Sequence, residues 1–443
     1  MLVADLRVPP PRSQLEPKLS VGRKLSGRAG RAIRAQPASW VLSFGVRPRP
    51  LLAAATVILG LATARHASAD VNVVGGHTRI PFDLRGGHVW VRGTIGDSDS
   101  LWIAIDTGAS SSAIDENEAR ALGLATHGRY STLGAGGADS SSSVSNLTFV
   151  FGGVSIHRDQ TDTNDLAQIS VQGGHPMQAI IGAELFESCV VRLDYGKGMM
   201  EIWDAAHAAS SLPGAVVPLA LEGHHPYVEG VLAVAGTQPL RGRFVIDTGS
   251  NAGIILAPDA AARAGLPQAF PRTLQTVGFG VGGEVHNHLG RAESFTLGSL
   301  RFDHPIAFVP DSLAGRISAP GSAGNIGSGV LGRCAITFDY RHLRVAFEPG
   351  TDFRRPFDTD MLGATPIRRS DGYEVRFVNA DTPAADAGLH VGDLIVAING
   401  TPCTTIDPTM LRRLLQQPGQ SVRLDVRRGG VTRTITTTLR RLI

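Results

Sequence analysis

The segment Trp102-Ile103-Ala104-Ile105-Asp106-Thr107-Gly108 decides how the chain is read, because it returns as Phe244-Val245-Ile246-Asp247-Thr248-Gly249. Each copy is an uninterrupted apolar run, the pattern of a buried strand, that ends on an aspartate. A carboxylate delivered to the end of a buried strand is placed for chemistry. The glycine lets the backbone turn tightly and approach another chain closely, and the threonine hydroxyl can hydrogen-bond to a partner turn. A short helical stretch follows each copy, Asp115 to Leu124 and Pro258 to Leu266. The first opens with Asp115 and Glu118 in capping-box spacing, the second with Pro258 near its first turn.

Working outward, the matching residues keep a nearly constant separation. Val91-Arg92-Gly93 precedes Val228-Glu229-Gly230 by 137 residues, Asp106 precedes Asp247 by 141, and Thr132-Leu133-Gly134 precedes Thr276-Val277-Gly278 by 144. Ile181-Gly182, Cys189 and Asp194-Tyr195 each precede Ile326-Gly327, Cys334 and Asp339-Tyr340 by 145. So slow a drift marks two colinear copies of one unit with small loop insertions. Two copies are too few for a solenoid, so a pseudo-twofold pair is predicted, which brings Asp106 against Asp247.

These residues resemble the aspartic proteases, both the two-lobed pepsin-like enzymes and the retroviral-type dimers. The resemblance rests on Ile105-Asp106-Thr107-Gly108-Ala109 and Ile246-Asp247-Thr248-Gly249-Ser250, with Ile180-Ile181-Gly182 and Ile326-Gly327 as the later element of each half, and it covers residues 75 to 350. It implies that Asp106 and Asp247 are the catalytic pair, supported by Thr107, Gly108, Thr248, Gly249 and Ser250. The implied reaction is peptide-bond hydrolysis by a water activated between two carboxylates that share one proton, with no cofactor. It also implies that the Ser250 hydroxyl donates to Asp247, which Ala109 cannot do for Asp106, so that the proton rests mainly on Asp106. The Gly-dense stretches Leu133 to Gly137 and Val277 to Gly283 read as flap hairpins over a substrate cleft. No tyrosine sits at the tip of the first, which leans the likeness towards the retroviral type.

Other chemistries find less support. His224-His225 and His286-x-His288 lack two further ligands at zinc spacing, so no metal site is read. No Gly-x-Ser-x-Gly elbow follows a strand. Neither aspartate is followed by the lysine of the phosphorylated motif in transport ATPases. Cys189 and Cys334 occupy equivalent places in apolar runs and read as small buried hydrophobes rather than as a bridge.

Of the 42 Lys and Arg residues, 11 fall in residues 1–69, with only Asp5 and Glu16 of the 39 acids. The rest therefore carries 31 basic and 37 acidic residues, a net charge of −6, and nothing there suggests nucleic-acid binding. Residues 1 to 50 lack periodicity; a basic flank, the 14-residue apolar run Leu51 to Ala64 and the small-residue end Ala67-Ser68-Ala69 then read as a signal peptide cleaved after Ala69. The predicted location is periplasmic or secreted, the alternative being a membrane anchor formed by residues 51–64.

The body reads as mainly β, with many short strands between Gly-rich turns. The first lobe is assigned to 70–212 and the second to 213–350, the two being related by the pseudo-twofold. Residues 356–443 change pattern: a strand at Tyr373 to Val378, a short helix at Pro383 to Leu389, and Gly392-Asp393-Leu394-Ile395-Val396-Ala397-Ile398-Asn399-Gly400 running into an Asn-Gly turn. A helix capped by Asp407 then presents Met410, Leu411, Leu414 and Leu415 on one face, followed by strands at Val422 to Val426 and Val431 to Leu439. This order resembles a bacterial PDZ domain, an α+β module, and implies capture of a C-terminal peptide by backbone N–H groups at Leu362, Gly363 and Ala364. The expected partner of the whole is a peptide or protein substrate, met by a monomer because both halves lie in one chain. The rival readings are an inactive peptide-binding scaffold of the same fold and half of an obligate dimer.

Overall fold

The computed structural model describes residues 69–311 and 320–443. The leader and its apolar run lie outside the described residues, which all fall in one compact unit.

Each lobe is built around the strand that leads to its aspartate. In the first, Leu101–Ile105 runs parallel to Ala179–Ile181 inside a nine-stranded sheet, with Ile103 opposite Ala179 and Ile105 opposite Ile181. In the second, Leu240–Ile246 runs parallel to Gly324–Ile326 inside a ten-stranded sheet, with Phe244 opposite Gly324 and Ile246 opposite Ile326. The apolar runs are buried on both faces, as a central strand requires. Each lead-in strand closes in the same way: the Asp106 N–H donates to the Ile181 carbonyl at 2.9 Å and the Asp247 N–H to the Ile326 carbonyl at 3.0 Å.

The lobes are joined by a sheet to which both contribute. His77–Pro81, Met199–Asp204 and Cys189–Asp194 come from the first half; Cys334–Asp339, Arg344–Pro349 and Ala215–Pro218 come from the second. The seam is the antiparallel pair that sets Val191 opposite Phe338 and Leu193 opposite Ile336. Cys189 and Cys334 begin their strands at opposite ends of this seam and are buried free thiols, in keeping with the hydrophobic role read from the sequence.

Asp115 caps the helix Glu116–Ala121 by accepting from the N–H groups of Asn117 and Glu118, both at 3.0 Å. The reciprocal half of the capping box is not made. Gln178 takes both roles, its carbonyl accepting the Asp115 N–H at 2.9 Å and its side-chain amide donating to Glu118 at 3.0 Å.

The Gly-dense stretches are hairpin tips, between Thr126–Gly134 and Gly137–Phe151 in one lobe and between Thr273–Gly280 and Gly283–Arg291 in the other. Their tips, Gly134-Ala135-Gly136-Gly137 and Gly280-Val281-Gly282-Gly283, lie on each other. The Gly136 N–H donates to the Val281 carbonyl at 2.9 Å. A Cβ on Gly136 would sit 2.3 Å from the Gly283 nitrogen, and one on Gly282 would sit 2.2 Å from the Gly137 oxygen, so only glycine permits the contact. Val281 is buried against Trp90, Ala109 and Ile180 of the first lobe, while Ala135 packs on Tyr227 and Val245 of the second.

The C-terminal module has its own core around Tyr373, Val375, Ile395 and Leu424 and a six-stranded sheet with Ala364–Arg369 at one edge. Its helix Pro408–Leu415 is capped by Asp407, which accepts from Met410 N–H at 2.7 Å. Leu411 and Leu415 are buried, but Met410 is 45% exposed, so the apolar face is narrower than the sequence suggests. One residue advances a helix by about 100°, which carries Met410 off the stripe that Leu411 and Leu415 share.

Candidate active site

The two Asp-Thr-Gly turns meet at the interface of the lobes. The Thr107 N–H donates to Thr248 Oγ1 and the Thr248 N–H to Thr107 Oγ1, both at 3.0 Å. Each hydroxyl in turn donates to the carbonyl that precedes the opposite aspartate, Thr107 to Ile246 at 2.7 Å and Thr248 to Ile105 at 2.9 Å. These four bonds are buried and symmetric, and they lock the ends of two central strands together. The glycines are required by closeness: a Cβ on Gly249 would sit 2.2 Å from the Asp106 carboxylate, and one on Gly108 would sit 2.5 Å from that of Asp247.

Asp106 and Asp247 are each 1% exposed, and their side chains hydrogen-bond to one another. Two carboxyls this close cannot both ionise without strong repulsion. Burial, reinforced by the neighbouring Asp247 charge, pushes the Asp106 carboxyl up to about 7, although the Gly108 N–H at 2.7 Å favours its ionised form. Hydrogen bonds from Asn325 and Asp106 favour the ionised form of Asp247, while burial opposes it. One proton is thus shared across the pair, resting mainly on Asp106.

The donor to Asp247 is not the one the sequence suggests. The Ser250 hydroxyl turns to accept the Ala252 N–H at 3.4 Å, and the bond to the Asp247 Oδ2 comes from the side-chain amide of Asn325. Asn325 sits in the strand Gly324–Ile326; its counterpart 145 residues earlier is Ile180. A polar residue in an otherwise apolar strand was the available signal.

Two histidines also belong to the site. His225 Nε2 donates to the carbonyl of Gly108 at 3.1 Å, and its counterpart in the repeat, His88, lies against the carbonyl of Gly249. They are 137 residues apart, the same offset that relates Val91 to Val228, so the repeat spacing marks them. A carbonyl only accepts, so the His225 ring carries its proton on Nε2. Burial lowers both, His88 to about 4.

In the C-terminal module, the loop expected to receive a terminal carboxylate already holds one. The Leu362 N–H at 3.1 Å and the Gly363 N–H at 2.7 Å donate to Asp360, two residues before Leu362. Leu362 and Ala364 are themselves buried. An acid two residues ahead of the loop, Asp360, is the signal in the sequence that these N–H groups are claimed. Among the described residues no cluster of histidine, cysteine and acid side chains has the form of a metal site.

A family model described as aspartyl protease matches residues 91–185 and 231–333, and a PDZ domain model matches residues 374–428. No curated protein matches the chain. Among solved structures, an aspartic proteinase from Irpex lacteus is 14% identical over 63% of this chain and 99% of that one, with a TM-score of 0.39. An aminopeptidase N family protein from Idiomarina loihiensis is 26% identical over 19% of this chain, with a TM-score of 0.18; the chain spans 14% of that protein's length.

Proposed function

We propose that this chain, which carries two aspartyl protease segments and a PDZ domain, is an aspartic endopeptidase whose catalytic pair is Asp106 and Asp247. The observation that carries the reading is the reciprocal threonine grip, which holds two buried carboxyls in hydrogen-bonding contact at the interface of the lobes. Asp247, ionised, takes a proton from a water as its oxygen attacks the scissile carbonyl carbon. Asp106, protonated, donates to the carbonyl oxygen and stabilises the charge that develops there. As the tetrahedral species collapses, the C–N bond breaks and the amine leaves with the proton taken from water. No covalent enzyme intermediate forms. The paired flap tips lie over this space and exclude bulk water from it. The basic flank, apolar run and Ala-x-Ala end of the leader support action outside the cytoplasm.

The test is incubation of the purified body with a peptide library, with and without pepstatin, alongside the Asp106→Asn and Asp247→Asn proteins. Inhibitor-sensitive cleavage lost in both variants supports the reading. Cleavage that survives either change, or a wild-type protein that cuts nothing while binding peptides, overturns it in favour of a scaffold.

A further inference from the structure

The PDZ module in this chain is closed at the places where such a module ordinarily takes a peptide, and open towards the aspartate pair. A peptide strand would add to the sheet edge Ala364–Arg369, which among the described residues pairs only with Gly372–Val378. Yet Gln172, on the first-lobe helix Ala167–Gly173, already bonds that edge as a peptide unit would. Its Oε1 accepts the Arg368 N–H at 3.0 Å, and its Nε2 donates to the Arg368 carbonyl at 3.2 Å. Two residues earlier, Pro366 has no N–H to offer. The module's helix is pinned on the same side, with the Gly86 N–H donating to Thr409 Oγ1 at 2.9 Å and Gly174 lying against the Pro408 ring. The carboxylate loop, as described, is filled by Asp360.

What remains open is a cavity of about 710 Å³ that runs from the catalytic turn into the space between the module's strand and helix. Asp247, Ser250 and His88 line one end; Thr365, Leu411 and Arg412 line the other. Arg412 lines this space and makes no ion pair among the described residues. His88 feels the charges of both Asp247 and Arg412, which sets the two ends of the cavity within electrostatic reach of each other. A planar guanidinium with free N–H groups, facing a cleft that binds extended peptide, is matched by a carboxylate.

We propose that the PDZ module forms a wall of the substrate cleft, and that Arg412 anchors a substrate carboxylate there, selecting peptides that carry an acidic side chain or a free C-terminus near the scissile bond. This rests on the hydrolytic reading of the same cleft. Its chemistry is ordinary charge-assisted recognition, and no bond is made or broken at Arg412.

The experiment uses the full chain and sets of otherwise identical peptides: free acid against C-terminal amide, and amidated peptides with glutamate scanned through the positions that flank the cut. Wild-type kcat/KM should favour a carboxylate by about 10- to 100-fold, the range of a charged hydrogen bond. The free-acid and glutamate arms separate a terminal from an internal source. In Arg412→Ala the preference should fall towards one, and in Arg412→Glu it should pass to peptides with lysine in the same place. Indifference of the wild type to carboxylates, or a preference that survives both substitutions, overturns the proposal. If no peptide is cut, the hydrolytic reading has failed, and binding of the same peptides to the Asp106→Asn chain still measures the Arg412 preference.

Discussion

The imidazole of His225, in the second half of the chain, donates to the main-chain carbonyl of Gly108 in the first, 3.1 Å away. Its symmetry mate, His88, reaches back to Gly249. The first aspartate turn is therefore held by a ring from the opposite lobe, in addition to the threonine grip at its centre.

Replacing His225 with leucine leaves the Gly108 carbonyl buried without its donor, which costs about 1–3 kcal/mol in stability. A loosened turn should lower kcat by about 10-fold or more while moving KM little, since the loss is felt in the alignment of Asp106 rather than in substrate contact. Denaturant melts and steady-state kinetics on the same preparation check both. Histidine 88 carries a pH signature as well. Its folded pKa of about 4 lies below its unfolded value, so between roughly pH 4 and 6.5 the unfolded chain binds more protons. Stability should therefore fall as pH drops through that window, and His88→Gln should flatten the fall.

Asp106 has the opposite sign. A folded value of about 7, above the ordinary carboxylate, means the native state holds the extra proton, so stability is lost as pH rises from about 4 to 7. Asp106→Asn should abolish turnover by a factor on the order of 10³ or more, because the pair acts as one unit. The same protein should be more stable than the wild type at pH 8, where the wild type must bury two charges. Thermal melts at pH 5 and pH 8 read the difference.

Asn325 keeps Asp247 ionised, so its loss should be visible at the acid end of the activity profile. Asn325→Leu removes a donor to the charged form, raises the Asp247 pKa, and should move the acidic limb to higher pH by about one unit. The basic limb, governed by the proton on Asp106, should stay near 7. Because the pair titrates jointly, the comparison is between macroscopic limbs. An unmoved acidic limb would assign the role to another donor.

At the flap tips, Gly282→Ala places a methyl group 2.2 Å from the Gly137 oxygen and should prevent the tips from meeting. Catalysis then proceeds in a wetter site, with kcat reduced by about 10-fold or more. Gly96→Ala, at a surface turn with open space around its missing Cβ, is the control and should leave turnover unchanged.

The sequence carried the aspartate pair because its signal is local and doubled: a strand, an acid and a glycine, twice, at one spacing. The same spacing also carried His88 and His225, yet an isolated histidine looks like many others until the turn it touches is known. Ser250 does not take the role its motif suggests: its hydroxyl accepts the Ala252 N–H, and the amide donor to Asp247 is Asn325. The seat of the PDZ module was illegible for a different reason. It depends on Gln172 meeting Arg368 across 196 residues, and no periodicity encodes a contact between side chain and main chain at that range.

The seam between Cys189–Asp194 and Cys334–Asp339 has a consequence for how the protein comes into being. During synthesis the first half emerges with one acid and a strand whose neighbour has not yet been made. The partner acid follows at residue 247, and that neighbouring strand only when translation has passed residue 339. A chain stopped before residue 247 therefore holds half of the aspartate pair, and one stopped before residue 334 leaves the edge of Cys189–Asp194 uncovered.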